Sequence, residues 1–137
     1  MKRILLLLLL CSTTLLMAQQ TDPIQEAMAS YDYETALSLI AQKKPATPLL
    51  LQKGKALRSL GLNAEALSTY QEIIGKDSTN TRALIEAAEC CRTLAKYKQA
   101  SAYYEKVLDL TPENKYVRIQ YINCLLYTSP SPRDRQK

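Results

Sequence analysis

The sequence predicts an all-α fold made of repeated helical units. Residues 47–80 and 81–114 form two consecutive units of equal length, and a fixed period of roughly 34 residues indicates a repeat architecture. The matched pairs are Leu50 with Leu84, Gly54 with Ala88, Leu57 with Cys91, Gly61 with Ala95, Ala66 with Ala100, Tyr70 with Tyr104, and Ile73 with Val107. Asp22-Pro23, Thr47-Pro48 and Thr111-Pro112 are each typical of an N-cap followed by proline at the first helical position.

This register resembles the tetratricopeptide repeat (TPR) family, whose pattern alternates small and large apolar positions and places a proline near the repeat end. The second unit carries the expected residues Ala88, Tyr97, Ala100, Tyr104 and Pro112. The first unit departs from the pattern at Asn63, where an aromatic residue is usual, and at Ser78, where proline is usual. The resemblance implies a right-handed α-solenoid of antiparallel helix hairpins, with about two full repeats and a partial one at each end.

Residues 1–18 predict a signal peptide. Lys2 and Arg3 precede an apolar run over residues 4–10, and a second apolar group ends at Ala18, which is the order that export signals have. We expect cleavage after Ala18. One alternative is a membrane anchor, although a span needs roughly 20 apolar residues. The other is lipidation at Cys11, for which the bulky Leu10 is unfavourable.

Residues 22–46 predict a degenerate N-terminal repeat. The segment 31–37 resembles the turn and second helix of a TPR, with Tyr33 and Ala36 at the expected spacing. The spacing from Ala36 to Ala66 is shorter than the spacing from Ala66 to Ala100, so we expect a shortened linker at residues 43–47. An atypical first repeat is usual where a solenoid caps its exposed end.

Turn residues predict the helix boundaries of the two full repeats at 47–80 and 81–114. Gly61 is expected to end a first helix and Asn63 to cap a second one. The polar segment 76–80 predicts the turn between the two repeats. Ala66 and Ala100 are expected where paired helices approach most closely.

Residues 115–123 predict the first helix of a further, truncated repeat, because Val117, Tyr121 and Ile122 share one helical face. Residues 124–134, which follow, match in order the translation of a transposase sequencing adapter read from its second base. We interpret residues 124–137 as a non-native, adapter-derived tail and the sequence as a fragment of a longer protein. The alternative is a natural Ser/Pro-rich tail.

The reactive side chains give little support to catalysis, and we expect no catalytic, cofactor or metal site. The sequence has no His, the commonest general acid, general base and metal ligand. Glu86 and Glu89 lie three residues apart, which is ordinary for a solvated helix surface. Cys90 and Cys91 are adjacent and therefore point about 100° apart on a helix. We expect them to pack as small apolar residues.

The net charge does not favour a nucleic-acid partner. The whole sequence carries +5, but residues 19–123 hold 13 Lys and Arg against 12 Asp and Glu, a net charge of +1. The basic excess therefore belongs to the signal peptide and the tail, and the central region lacks the charge that nucleic-acid binding domains have.

The TPR resemblance implies a partner-binding groove lined by the first helix of each repeat. Carried over by repeat position, the groove residues are Pro48, Leu51, Lys55, Arg58, Arg82, Ile85, Glu89 and Arg92. Their four cations would suit an acidic segment or a C-terminal carboxylate, although solubilising surface charge is the alternative. Tyr97 and Tyr104 fall at core positions, and Tyr103 is the more plausible exposed contact.

We therefore expect a non-catalytic scaffold that binds an unidentified protein or peptide, with an undetermined oligomeric state. We expect the predicted signal peptide to direct it out of the cytoplasm, to the periplasm or the outer membrane of a Gram-negative bacterium. Membrane attachment would require lipidation or an uncleaved N-terminus. The alternative is the N-terminal accessory region of a longer enzyme, sensor or outer-membrane assembly component. A purely structural spacer is a third hypothesis.

Overall fold

The computed structural model describes residues 22–128, and this part of the chain consists of helices joined by short turns. The helices are α1 (Pro23–Ala29), α2 (Tyr33–Ala41), α3 (Thr47–Ser59), α4 (Asn63–Lys76), α5 (Thr81–Thr93), α6 (Tyr97–Leu110) and α7 (Lys115–Thr128). Each helix packs mainly against the helices before and after it in the chain. The expected all-α solenoid of helical hairpins is confirmed.

Two segments discussed from the sequence fall outside the described residues. They are the expected signal peptide at residues 1–18 and most of the expected tail, residues 129–137. Within residues 22–128, no helix combines the length and apolar character that a membrane span requires.

The N-terminal hairpin, α1 and α2, is shorter than the others. The linker at 42–46 has five residues, whereas those at 77–80 and 111–114 have four, so the expected shortening of the linker is wrong. The missing length lies in the helix, because α2 has 9 residues and α4 and α6 each have 14. Pro45 explains the early end, since proline cannot continue a helix and disfavours helical backbone at Lys44.

Asparagine and aspartate side chains cap the N-termini of several helices. The observed helix starts agree only partly with those predicted from the sequence. Asp22 caps α1 as expected, its Oδ1 accepting from the backbone N of Ile24 at 3.3 Å. By contrast, Thr47 lies inside α3, whose N-cap is Ala46. Thr111 lies at the end of α6, so Thr111-Pro112 starts no helix.

The caps at the repeat boundaries come from residues that the sequence analysis did not single out as caps. Asn80 Oδ1 accepts from Ala83 N at 3.0 Å, and Asn114 Oδ1 accepts from Val117 N at 3.1 Å. Each asparagine closes a tight turn, which brings its side chain to the start of the next helix. Because both asparagines are the last residues of their units, the two caps follow the repeat register.

The turns inside the hairpins each contain one residue with left-handed backbone. These residues are Tyr31 (φ 62°), Gly61 (φ 78°) and Ala95 (φ 56°). Gly61 follows the end of α3 as expected, and only glycine adopts this conformation without a steric cost. Asn63 does not cap α4. It is the first residue of that helix, and its Nδ2 donates to the backbone O of Gly61 at 3.2 Å.

A continuous core runs from α3 to α7, between Leu50 and Cys124. Ala66 and Ala100 are fully buried, as their close-approach positions predict. The two helices also approach closely at Gly54, because a Cβ built there would lie 2.4 Å from Cζ of Tyr70. The helices of the first full repeat can therefore pack at this distance only with glycine.

The cysteines of the described chain are buried in this core. Cys90 and Cys91 are fully buried and free, in agreement with a packing role. Burial raises the pKa of Cys90 to about 11, so its thiol stays protonated and poorly nucleophilic. Helix α7 continues five residues beyond the expected end at Asn123, and Cys124 packs into the core.

Candidate peptide-binding groove

The expected groove residues lie on the facing first helices of the two full repeats. Leu51, Lys55 and Arg58 share one face of α3, because residues spaced by four and three positions are neighbours on a helix. Arg82 lies at the start of α5 and contributes to the same surface. Leu51, Lys55, Arg58 and Arg82 therefore line two adjoining depressions, whereas Ile85, Glu89 and Arg92 line neither of them.

The N-terminal part of this surface is a recess of about 380 Å³ between α1, α3 and the start of α5. Its lining residues are Gln25, Met28, Thr47, Pro48, Leu51, Gln52, Lys55 and Arg82. Met28, Pro48 and Leu51 give it an apolar wall, whereas Lys55 and Arg82 place two cations at its other end. The recess can therefore accept an apolar group beside an anionic one.

Helix α1 supplies Gln25 and Met28, which the sequence analysis did not assign to the groove. They lie three residues apart on one helical face. This spacing is the feature of the sequence that could have predicted their shared position in the groove. The repeat spacing is irregular between α1 and α3, so the groove positions of the full repeats could not be assigned to residues of α1.

Gln52 is also part of the recess. Its side-chain Oε1 is buried, and within residues 22–128 it has no hydrogen-bond partner. A buried acceptor without a donor is unfavourable. The oxygen is shielded from solvent, so a ligand in the recess would reach it only after the Gln52 side chain moved.

A second, polar depression of about 570 Å³ adjoins the recess. Lys55 and Arg82 line both, and they are joined in the depression by Arg58, Glu86 and neutral polar side chains. Arg58 forms an ion pair with Glu86. Burial opposes the charge of Arg58, but the carboxylate of Glu86 outweighs burial and raises the pKa of that guanidinium. The positive charge of Arg58 is thus largely compensated.

Lys55 and Arg82 are different, because neither has a carboxylate within ion-pair distance among the described residues. Both side chains are exposed. The expected surface of four cations therefore reduces to two uncompensated ones, and these two lie where the recess and the depression meet.

Glu89 is the main departure from the expected site, since it is buried. Its Oε1 accepts hydrogen bonds from the hydroxyls of Tyr104 at 2.6 Å and Tyr116 at 2.7 Å, and its Oε2 accepts from Arg92 at 2.8 Å. Burial acts to raise the pKa of this carboxyl, but the three donors outweigh burial and hold the pKa below its usual range. The expectation that Glu89 lies on a solvated surface is therefore wrong.

The Glu89 cluster of Glu89, Arg92, Tyr104 and Tyr116 connects α5, α6 and α7. It occupies Arg92 with an internal carboxylate, and Arg92 also faces a separate depression near Tyr97 and Asn123. Ile85 is half-buried against the core and lines neither part of the groove. Spacing along α5 predicted a groove position for Glu89, which is wrong, because spacing contains no information about Tyr104 and Tyr116 on the neighbouring helices.

The tyrosines of α6 differ in their surroundings. Tyr104 is fully buried, as expected. Tyr97 is half-buried and stacks on Tyr127 with ring centroids 4.6 Å apart. Tyr103 is also half-buried, and its hydroxyl accepts from Gln71 Nε2 at 3.1 Å.

The described residues contain no group of three or more His, Cys, Asp or Glu side chains arranged to hold a metal ion. The groove offers a ligand two cations, an apolar wall and side-chain amide groups.

Comparison with known proteins agrees with the helical register. The family model described as tetratricopeptide repeat matches residues 81–114, which is the second of the two units. The structure is similar to the first TPR of Spaghetti (RPAP3) bound to an HSP90 peptide, SRMEEVD, with a TM-score of 0.72 and 19% identity over 80% of this chain and 90% of that one.

Two further solved structures show the same fold. The first TPR domain of human RPAP3 has a TM-score of 0.68 and 20% identity over 78% of this chain and 87% of that one. The Yersinia enterocolitica type III secretion chaperone SycD, in complex with a peptide of the translocator YopD, has a TM-score of 0.70 and 16% identity over 77% and 89%.

Proposed function

We propose that this chain is a non-catalytic scaffold of the tetratricopeptide-repeat type, which binds an acidic peptide segment of a partner protein in the groove between α1, α3 and α5. Residues 81–114 match the tetratricopeptide-repeat family model, and the fold is that of solved TPR domains. The observation that carries this proposal is the pair of exposed cations, Lys55 and Arg82, between two depressions on the same surface. An acidic segment would supply the carboxylates that this pair lacks.

The similar structures support a peptide as the ligand. One was solved with an HSP90 peptide and another with a peptide of a translocator. Their identities to this chain are only 19% and 16%, so the likeness extends to the fold, and the chemistry of the ligand is argued from Lys55 and Arg82.

The proposal places this binding outside the cytoplasm. Its support is residues 1–18, with two basic residues, an apolar run and a small residue at position 18. Fractionation of the source bacterium with an antibody to residues 22–128 tests it. The protein is expected in the periplasmic or outer-membrane fraction at the mass left by cleavage near Ala18, and recovery of the uncleaved chain from the cytoplasm would contradict it.

The binding function is tested by reversing the two charges. We expect Lys55→Glu with Arg82→Glu to weaken binding of acidic heptapeptides by at least about tenfold, because two attractive ion pairs, each worth up to about 1 kcal/mol at an exposed site, become repulsive. The matched control is Lys98→Glu with Lys106→Glu on α6, where both lysines are exposed and line neither part of the groove. Equal affinities for the two double variants would refute the groove and favour a purely structural spacer.

The alternative is that these repeats form an accessory region of a longer protein. Its support is the interpretation of residues 124–137 as adapter-derived. Resequencing the source locus across codon 123 without transposase adapters tests it. A reading frame that continues into a catalytic or membrane domain favours the accessory region, and one that encodes residues 124–137 as printed contradicts it.

A further inference from the structure

The recess and the cation pair together restrict the ligand further, and this inference rests on the proposed function. On one side of Lys55 and Arg82 lies an apolar wall formed by Met28, Pro48 and Leu51. On the other side lies the polar depression that contains the Arg58–Glu86 ion pair. A peptide that crosses this surface therefore meets different chemistry on the two sides of the cations.

The charge of the surface suits one carboxylate. Arg58 is compensated by Glu86, and Arg92 is compensated by Glu89. The uncompensated cations are Lys55 and Arg82, which lie close enough to share the lining of one recess. A second carboxylate placed over the depression would approach Glu86, and repulsion between like charges makes this unfavourable. A run of acidic residues is therefore a poorer match than one isolated acid.

The apolar wall suits a side chain of the size of leucine or methionine. Met28 and Leu51 are half-buried, from two different helices, and still exposed on the side of the recess. A ligand side chain that covers them removes apolar surface from water on both partners, which favours binding.

The distance between the apolar wall and the cation pair determines how far apart the apolar and acidic groups of the ligand should be. Leu51 and Lys55 are one helical turn apart, about 6 Å along α3. In an extended peptide, side chains that point to the same face are two residues apart, at about 6.6 Å. The apolar residue and the acidic group should therefore be separated by one residue.

We propose that the groove recognises an extended peptide with a single carboxylate at Lys55 and Arg82 and, two positions away, an apolar side chain against Met28 and Leu51. The carboxylate is that of a glutamate or aspartate side chain, because the polar depression continues the surface beyond the cations and leaves room for the peptide to run on. The apolar side chain supplies selectivity that charge alone does not.

Fluorescence polarisation with labelled heptapeptide amides tests this proposal in the purified protein. The probe is GSLGEGS, and its variants are GSGGEGS, which lacks the apolar side chain, GSLGQGS, which lacks the carboxylate, and GSLEGGS, which changes the spacing. We expect each change to weaken binding by about tenfold. A free-acid peptide, GSGSLGG, tests the source of the carboxylate. We expect it to bind more weakly than GSLGEGS, and tighter binding would assign the site to a chain terminus and contradict the proposal.

Substitutions in the protein test which residues recognise the apolar side chain and which recognise the carboxylate. Leu51→Ser and, independently, Met28→Ser should remove the advantage of GSLGEGS over GSGGEGS and keep its advantage over GSLGQGS. Lys55→Gln should do the reverse, and Lys98→Gln on α6 should change neither. Met28→Ser guards against a folding defect in Leu51→Ser, and unchanged melting temperatures confirm that the variants are folded.

The outcomes separate this inference from the proposed function. If acidic peptides bind through Lys55 and Arg82 but leucine adds nothing, or if its advantage survives in both serine variants, the inference is overturned and the proposed function stands. If none of the acidic peptides binds, both are overturned.

Discussion

At the scale of single residues, Glu89 shows how a charged side chain becomes part of a repeat-protein core. Its carboxylate receives hydrogen bonds from three side chains on three helices, Arg92, Tyr104 and Tyr116. Tyr104 is fully buried, so removing its acceptor would leave its hydroxyl without a partner inside the protein. The cluster therefore stabilises the packing of α5, α6 and α7 and is a poor site for ligand binding.

Replacing Glu89 by alanine should lower the free energy of unfolding by about 2 kcal/mol, since a buried group that loses its hydrogen-bond partner costs about 1–3 kcal/mol. Urea denaturation followed by circular dichroism measures this change. Glu105→Ala is the control, because Glu105 is exposed on α6 and a surface substitution should change stability by less than about 0.5 kcal/mol. Equal effects of the two substitutions would mean that the cluster contributes nothing.

The same carboxylate gives the stability a defined dependence on pH. Its pKa is lowered in the folded protein, so the unfolded chain binds the proton at higher pH than the folded one does. The contribution of Glu89 is complete above the usual carboxyl range and is lost as pH falls through the lowered pKa. Between pH 5 and pH 3, Glu89→Gln should therefore lose less stability than the unmodified protein, and parallel losses would contradict this.

Gly54 and Gly75 have different surroundings, so replacing each by alanine should have opposite effects on stability. A Cβ at Gly54 would meet Tyr70, whereas a Cβ at Gly75 has no neighbour within 4 Å. Gly54→Ala should destabilise the protein by about 1–3 kcal/mol through overpacking. Gly75→Ala should stabilise it by about 0.5–1 kcal/mol, because alanine loses less entropy in a helix. Thermal unfolding of both variants tests the opposite signs, and the same sign for both would refute this account.

At the scale of helices, the N-terminal hairpin is the element least integrated into the solenoid. Its buried residues Ile24, Ala27, Ala36 and Ile40 lie outside the continuous core that begins at Leu50. Its helices have 7 and 9 residues, against 13 and 14 in the full repeats. The hairpin nevertheless supplies Gln25 and Met28 to the recess, so its docking completes the groove.

Hydrogen exchange should therefore be fastest, among the described helices that have neighbours on both sides, in α2. Its opening requires little of the core to unfold, and local opening of weakly packed elements exposes their amides first. Helices α5 and α6 are the internal reference, because their buried residues belong to the continuous core. Exchange in α2 as slow as in α5 would show that the hairpin and the core unfold together.

The helices also show how far the sequence could predict this structure. The repeat register correctly placed Ala66 of α4 and Ala100 of α6 in the core. A small residue that recurs at the same repeat position is expected where the two helices of a hairpin approach closely. The register failed upstream of α3, where Pro45 ended α2 early and concealed the groove positions Gln25 and Met28. Helix-start signals failed at Thr111-Pro112, since the tight turn gave the capping position to Asn114.

At the scale of the whole molecule, the first helices of successive hairpins, α1, α3 and α5, line the recess, and α3 and α5 supply its two cations. The sequence predicted the α3 part of this surface, with Leu51, Lys55 and Arg58. It could not predict which cations stay uncompensated, because Glu86 reaches Arg58 from another repeat and Glu89 reaches Arg92 within a cluster from three helices. Pairing between helices is a tertiary property that spacing along one helix does not contain.

The most direct test of peptide binding in this groove is to titrate the ¹⁵N-labelled protein with the acidic heptapeptide GSLGEGS and follow its backbone amide resonances. If the peptide binds there, the shifts will concentrate on the groove helices α1, α3 and the start of α5, with the largest near Leu51, Lys55 and Arg82. Shifts that concentrate on α4 and α6, or that are absent at millimolar peptide, would contradict it.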